Sequence, residues 1–423
     1  MGKKELILKK INFFELIFIL LLFSIFTFPG FKILELPFEI RFEDFLMILF
    51  LFLILLKNKY EFKGKFLLNY IFLIYFYIIW IFITITFNNL MLKINCYFEI
   101  YKIFKIFLLI FFIYNFIDIK RKEFLKVMYF LFTFNLLFNI FHYFNLFNFN
   151  INILPIYSKG PQYDEFIYYF YSISQRRILG IMGNPNNNGI IFSFFALYFF
   201  ILFQDYNYLK KLNFIFFCFS FLLLILTGSR TTFISFLFSI IFYLIIAKRK
   251  IKLVFTYFLI LTIMFLIINI FFNIKYIKSI WEMDLTKTNS FIVRINNWKM
   301  LINMVKNKLI YGNGPNKNFF YENNLHAENE YIFVFWKYGF IGLIIHLILL
   351  ILPFFYSIKN KNFLFSKLSM TFLIIVFITS ITNNPLSEPR ILSIFSIIIG
   401  LMFKEIFSFQ RFKKYEKINY NRI

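Results

Sequence analysis

The sequence predicts an all-α, polytopic integral membrane protein with about 12 transmembrane helices and a long outer loop that contains an amphipathic helix. Three observations carry that expectation. Of 423 residues, 61% are hydrophobic and 16% charged, where ordinary soluble domains run to roughly 45–50% and about 25%. The mean hydropathy is +0.73. The apolar residues also fall into long runs separated by short basic segments, and a helix crossing the hydrocarbon core needs about 20 such residues. This composition excludes a soluble enzyme, a disordered chain and a disulfide-rich secreted module.

The expected spans are 11–28, 42–56, 66–87, 97–116, 127–147, 188–203, 212–226, 231–246, 253–272, 331–356, 368–381 and 391–407. They form a single polytopic domain over residues 1–423. Several are short, which tilt or local thinning of the bilayer accommodates. The first span follows Lys3, Lys4, Lys9 and Lys10 but leads into Phe28-Pro29-Gly30-Phe31 with no small-residue cleavage site. It is expected to remain as an anchor.

The net charge of +25 lies between the apolar runs, so it implies no nucleic-acid partner. With Ala only at 196, 247 and 327, part of the Phe and Lys abundance looks like drift in an AT-rich genome. With the N-terminus cytoplasmic, the inner segments hold more than half of the 46 basic residues. Cytoplasmic loops carry the Lys and Arg excess, so both termini are expected inside. Two outer segments are long, 148–187 and 273–330, and long loops on one side are where function collects. In the second, Phe291, Ile295, Trp298, Ile302 and Val305 recur at helical spacing opposite Asn296, Lys299, Asn303 and Lys306. That is an amphipathic helix at the outer surface.

Little conventional chemistry is legible. Cys96 and Cys218 are isolated, and His142 and His346 sit on apolar spans without ligand-spaced partners. No phosphate loop, dinucleotide fingerprint or zinc motif occurs, so no cofactor and no metal are expected. Polar clusters at the outer span ends stand out instead. Arg176 and Arg177 precede a turn containing Gly180, Gly183, Asn184, Pro185 and Asn186 that opens a helix. Helix N-termini and Arg forks suit phosphate oxygens, although a charged loop with an N-cap reads equally well. Thr227-Gly228-Ser229-Arg230 joins two spans, placing Arg230 at the membrane boundary, where a lone cation snorkels or finds a partner.

The long loop contributes Arg294 and Trp298 on one helix face, then Gly312-Asn313-Gly314-Pro315, then His326, Glu328 and Glu330 before a span with Tyr338, Gly339 and Gly342. A His or carboxylate at a span mouth can serve as a base or simply end a solvated loop. The cluster Asn383-Asn384-Pro385-Leu386-Ser387-Glu388-Pro389-Arg390 reads as a polar turn. Lys102 and Lys105 fall inside a span near Glu99. They either pair internally, line a polar cavity or mark an interfacial stretch.

In order, these clusters resemble the O-antigen polymerase and ligase superfamily of bacterial envelope glycan assembly. Arg177-x-x-Gly180 with Asn184-Pro185-Asn186, Ser229-Arg230, Arg294 with Trp298, Gly312-x-Gly314, and Asn329-x-Tyr331 with Tyr338-Gly339-x-x-Gly342 carry the likeness. One departure matters: eleven residues before Gly339, where the ligases place a His, stands Glu328, with His326 two residues earlier. The resemblance therefore leans toward a polymerase.

It implies a metal-independent glycosyltransferase in the bacterial inner membrane, polymerising undecaprenyl-pyrophosphate-linked oligosaccharide into an O-antigen or capsule-type polysaccharide. The implied catalytic residues are Glu328 or His326 as base, with Arg230 and Arg294. Arg176, Arg177, Asn184, Asn186 and Trp298 join Arg230 and Arg294 in binding pyrophosphate and glycan. The implied partners are the lipid-linked oligosaccharide, the bilayer and, in some members, a chain-length regulator. A ligase that delivers finished glycan to a lipid or protein acceptor is the near alternative, and a flippase of lipid-linked sugar the distant one.

Overall fold

The computed structural model describes residues 13–32, 39–56, 64–118, 121–158, 163–164, 167, 177–248, 263, 289–316, 319–320, 323 and 327–420. Its long helices are α1 (Phe13–Thr27), α2 (Phe42–Leu56), α3 (Lys65–Phe87), α4 (Ile94–Phe116) and α5 (Arg121–Phe144). Two single turns follow, α6 (Phe149–Asn152) and α7 (Leu154–Tyr157). Then come α8 (Pro185–Asp205), α9 (Lys210–Leu226), α10 (Arg230–Ile246), α11 (Asn289–Val305), α12 (Glu330–Lys359), α13 (Leu364–Thr379) and α14 (Pro389–Tyr420). The other regular structure among the described residues is short 3-10 turns and a two-residue antiparallel pair, β1 (Phe31–Lys32) with β2 (Glu39–Ile40), in register Phe31↔Ile40.

Eleven of the expected spans coincide with helices, and the expected span 253–272, residue 263 apart, lies outside the described residues. Among the described residues, five helices are long and apolar enough to cross a membrane: Lys65–Phe87, Lys122–Phe144, Pro185–Asp205, Glu330–Lys359 and Pro389–Arg411. Phe13–Thr27, Arg230–Ile246 and Leu364–Thr379 are shorter apolar helices. Helix α4 matches the others in length, but Glu99, Lys102 and Lys105 interrupt its apolar run.

Helix α8 is the centre of the bundle. It is apolar all round, and its residues from Gly189 to Leu202 are buried on every face, as a helix surrounded by others requires. It packs on α9, α10 and α13, while α14 packs on α4 and α12 on α3 and α13. Phenylalanine does much of the filling: Phe132, Phe195, Phe199 and Phe216 form one ring cluster around α5, α8 and α9. The outward faces are equally apolar. Phe72 on α3 is 70% exposed, with Tyr75 and Phe76 beside it, a pattern unfavourable in water and normal against lipid chains.

Contacts between loops divide the bundle into two ends. At one, Phe28, Arg41, Asn88, Arg177, Asn186, Thr227, Thr231, Gly312, Glu330 and the 380–390 turn bond to one another. At the other, Lys367 pairs with Asp205 at 2.5 Å, Lys404 with Asp118 at 2.9 Å, and Glu405 accepts the Phe365 amide at 2.9 Å. The described loops expected to share a side meet at one end in these contacts.

Candidate functional site

The motif-bearing end is built around a break in α12. Gly339 adopts φ 66°, ψ −165° inside the helix, a conformation an L-residue avoids. The carbonyls before the break lose their intrahelical donors, as at any helix end. The turn Leu309–Gly314 supplies replacements. Asn313 N donates to Trp336 O and Gly314 N to Lys337 O, both at 2.8 Å, and Phe340 N donates to Leu309 O at 2.8 Å. Trp80 Nε1 donates to Tyr338 O at 2.9 Å.

Gly312 and Gly339 meet backbone to backbone. A Cβ on Gly312 would lie 2.6 Å from Gly339 N, and one on Gly339 would lie 2.2 Å from Ile310 O. The glycines of Gly312-x-Gly314 and Tyr338-Gly339 are thus two halves of one contact. Asn88 clamps the turn from α3, donating to Gly312 O at 3.1 Å and accepting from Lys308 Nζ at 2.7 Å.

Helix α11 lies against the first half of α12 through Leu301, Val305, Phe320, Phe333 and Trp336. Its buried stripe is rotated from the expected one: Leu301 is buried and Ile302 exposed. The aromatic patch of α12 fixes this register, which helix periodicity alone could not. Arg294 and Trp298 fall on the α12-facing side, each partly buried, and Trp298 Nε1 is buried with no hydrogen-bond partner among the described residues. Arg294 Nε donates to Glu328 Oε2. The side chains are 28% and 43% exposed, so this ion pair is open to ligand. His326, the other base candidate, and Arg176 lie outside the described residues.

Arg177 is held by two elements. Its Nε donates to Thr227 O at 2.9 Å and its Nη2 to Asn186 Oδ1 at 2.8 Å. Asn184 caps α8, accepting from Asn186 N at 2.8 Å and Asn187 N at 3.3 Å, the ordinary work of an N-cap Asn. Gly180 and Gly183 have positive φ. A Cβ at Gly183 would strike Tyr157 O at 2.2 Å. His142 Nε2 accepts from Leu179 N at 3.1 Å, which assigns the ring proton to Nδ1, opposite Asn150 Oδ1 at 2.6 Å. This histidine is a structural pin for the segment entering the Arg177 turn.

Arg230 differs from the other candidate arginines. It opens α10 beside the Thr227-Gly228-Ser229 turn, partly buried. Among the described residues its guanidinium has no hydrogen-bond or ion-pair partner. The carbonyl that holds Arg177 belongs to the same turn.

The turn after α13 joins these clusters, a role its sequence did not reveal. Asn383 Oδ1 accepts from Asn186 Nδ2 at 3.2 Å, and Thr382 Oγ1 bonds Thr231 Oγ1 at 2.8 Å. Glu330 N donates to Ser380 O at 2.8 Å, Asn329 Nδ2 to Ile381 O at 2.9 Å, and Asn384 Nδ2 to Ala327 O. Asn329 also caps α12, accepting from Ile332 N at 3.0 Å, while Tyr331 donates to Phe377 O at 2.9 Å. Arg390 donates to Ile181 O and to Phe28 O, fixing the Gly180–Gly183 turn from below. The only signal in the sequence was a polar run too short and ordinary to rank.

Lys102 and Lys105 are both paired. Lys102 meets Glu99 at 2.8 Å, and Lys337 meets the same carboxylate at 3.1 Å. Lys105 meets Glu43 at 2.5 Å and Asp44 at 3.0 Å. At the membrane-end loop, Arg41 pairs with Glu388 at 2.8 Å. Burial acts to raise the Glu388 carboxyl, but Arg41 and Arg390 outweigh it and hold it below the usual carboxylate range. Among the described residues no group of three or more His, Cys, Asp or Glu gathers at ligand distance.

The arrangement offers an unpartnered guanidinium, a second one anchored beside it, and an exposed Arg–carboxylate pair on an adjoining loop. Such a set can bind an anion and move a proton. Residues 215–347 match the family model described as O-antigen ligase. That stretch contains Arg230, Arg294, Trp298, both glycine motifs and Glu328. No curated protein matches the chain.

Proposed function

From the match of residues 215–347 to the O-antigen ligase family model, we propose that the chain is a member of the O-antigen ligase and polymerase superfamily and the polymerase of a lipid-linked glycan pathway. Its donor is a glycan on undecaprenyl pyrophosphate and its acceptor the terminal sugar of another lipid-linked repeat unit. The acceptor hydroxyl oxygen bonds to the donor's anomeric carbon. The bond from that carbon to the pyrophosphate oxygen breaks, and the electron pair leaves with the pyrophosphate. The hydroxyl proton passes to Glu328 or His326. Arg230, Arg294 and the Arg177 turn meet the charge growing on the leaving group, as guanidinium forks do for phosphate oxygens.

The observation that carries this reading is the unpartnered guanidinium of Arg230, partly buried among turns tied together by Asn383 and Thr382. A cation without a counter-charge at a membrane boundary is costly unless a ligand supplies one. The Arg294–Glu328 pair fits the same scheme. An incoming diphosphate competes for Arg294 and frees the carboxylate for the acceptor.

The test is reconstitution in vesicles with lipid-linked repeat units. Wild type is expected to give a ladder of polymers. Arg230→Ala is expected to keep wild-type thermal stability and lose turnover by roughly 10²–10³-fold, the usual loss when one donor to a developing anion is removed. If Arg230→Ala and Arg294→Ala both leave the ladder unchanged, the mechanism is wrong. The family description favours the ligase as second reading. One transfer onto a lipid A–core acceptor, without a ladder, would establish that instead. The flippase alternative drew on Lys102 and Lys105, and both are engaged in ion pairs.

A further inference from the structure

Inside the bundle, beneath the motif-bearing end, lies a cavity of about 30 Å³. Its wall includes Tyr77 of α3, Glu99 and Lys102 of α4, Glu330, Lys337, Tyr338 and His346 of α12, and Ser387 before α14. None of these has a part in the transfer reading. The wall is charge-balanced: Glu99 is shared by Lys102 and Lys337, and Tyr338 donates to it at 3.3 Å. Lys337 Nζ also sits 3.7 Å over the Phe333 ring.

Among the described residues, two buried polar atoms on this wall have neither a hydrogen bond nor an ion pair. Glu330 is 3% exposed, and while its Oε1 accepts from Ser387 Oγ at 3.2 Å, its Oε2 accepts nothing. His346 Nε2, 4% exposed as a residue, is likewise unmet. Leaving a buried polar atom unmet costs roughly 1–3 kcal/mol, and more when it is charged. Native interiors meet such atoms with protein groups or ordered water. A dry cavity, by contrast, is an apolar one.

We propose that this cavity is an internal hydration site, occupied by water held against Glu330 Oε2 and His346 Nε2. The volume suits about two molecules, since one needs ~10–15 Å³ of such space. The polar wall gives them further donors and acceptors. Water here completes a hydrogen-bonded path from Ser387, in the turn that ties the motif clusters together, through Glu330 into the middle of the bundle. It also explains how α4 and α12 keep four charges inside an apolar bundle, because a hydrated cavity screens them far better than hydrocarbon. The site stands or falls independently of the glycan-transfer reading.

Radiolytic hydroxyl-radical footprinting on the full chain in lipid nanodiscs tests it, because radicals formed from water trapped inside a protein modify the side chains lining that water. Tyr77 and Tyr338 are 1% and 3% exposed, comparable to Tyr70, which is 0% exposed, donates to Leu349 O and does not itself line the cavity. Tyr77 and Tyr338 are expected to be modified several-fold faster than Tyr70. Modification no faster than that of Tyr70 would overturn the proposal in wild type alone, whatever the variants do. In Glu330→Leu/His346→Leu, which removes both unmet atoms, the two rates are expected to fall to that of Tyr70. Wild-type rates in a folded double variant would mean that these two residues do not hold the water.

Discussion

Gly312→Ala attacks the contact on which the motif-bearing end is assembled. Gly312 has φ +70°, and an L-residue held there costs roughly 1–2 kcal/mol. Its new methyl would lie 2.6 Å from Gly339 N and from Lys337 C and O, all backbone atoms that cannot turn aside. The turn must therefore lift. Asn313 N and Gly314 N then leave Trp336 O and Lys337 O, and each lost bond is worth about 1 kcal/mol, more where the freed group stays buried. Strain and lost bonds together predict about 3–5 kcal/mol of destabilisation.

Gly64→Ala is the control. Gly64 has φ +133° but nothing within 4 Å of its Cβ position, so that variant suffers the dihedral strain alone, about 1–3 kcal/mol. Thermal unfolding in detergent measures the difference, and hydrogen exchange at the Asn313 and Gly314 amides locates it. The reasoning is refuted if those amides stay as protected in Gly312→Ala as in wild type and the midpoint is no lower than that of Gly64→Ala.

Three other outcomes are expected. Glu99→Gln removes the carboxylate that Lys102 and Lys337 share and should cost about 3–5 kcal/mol. Asp118→Asn should change stability by less than about 1 kcal/mol, because Asp118 is 81% exposed at its pair with Lys404; chemical unfolding of the two variants side by side checks the contrast. Arg177→Lys cannot reproduce the fork to Thr227 O and Asn186 Oδ1, and the loss of one charged hydrogen bond predicts a drop of about 1.5–3 kcal/mol in unfolding free energy. Glu388 has a folded-state pKa below its unfolded value, so its stabilisation is present above about pH 4.3 and fades as the pH falls through the folded value. Melting curves across that acid range should show the loss in wild type and a flatter profile in Glu388→Gln.

The candidate site was legible in its residue types and order, less so in its roles. Arg230 stood out because nothing else basic lies between Lys211 and Lys248, and among the described residues it has no partner. Asn184 and Asn186 read as ligand groups or a cap. The fold gives Asn184 the cap and Asn186 the Arg177 contact. Asn383, Asn384 and Arg390 carried no rankable signal, because their importance lies in partners up to 362 residues distant in sequence. Lys102 is similar: whether it is free or paired depends on Glu99 one turn away, and Glu99 is in turn shared with a lysine 238 residues later.

By itself the sequence determined the class of protein, the position of the described helices and which of the described loops gather at one end. Those properties follow from local quantities, the length of an apolar run and the charges that flank it, which a bilayer reads segment by segment. The tertiary structure alone decided that the two glycine motifs form a single backbone contact, that the turn after α13 joins three distant clusters, and that Lys102, Lys105 and Lys337 inside the bundle are ion-paired. These depend on which helices become neighbours. Close packing and the need to meet every buried polar group select those neighbours among many arrangements with the same hydropathy.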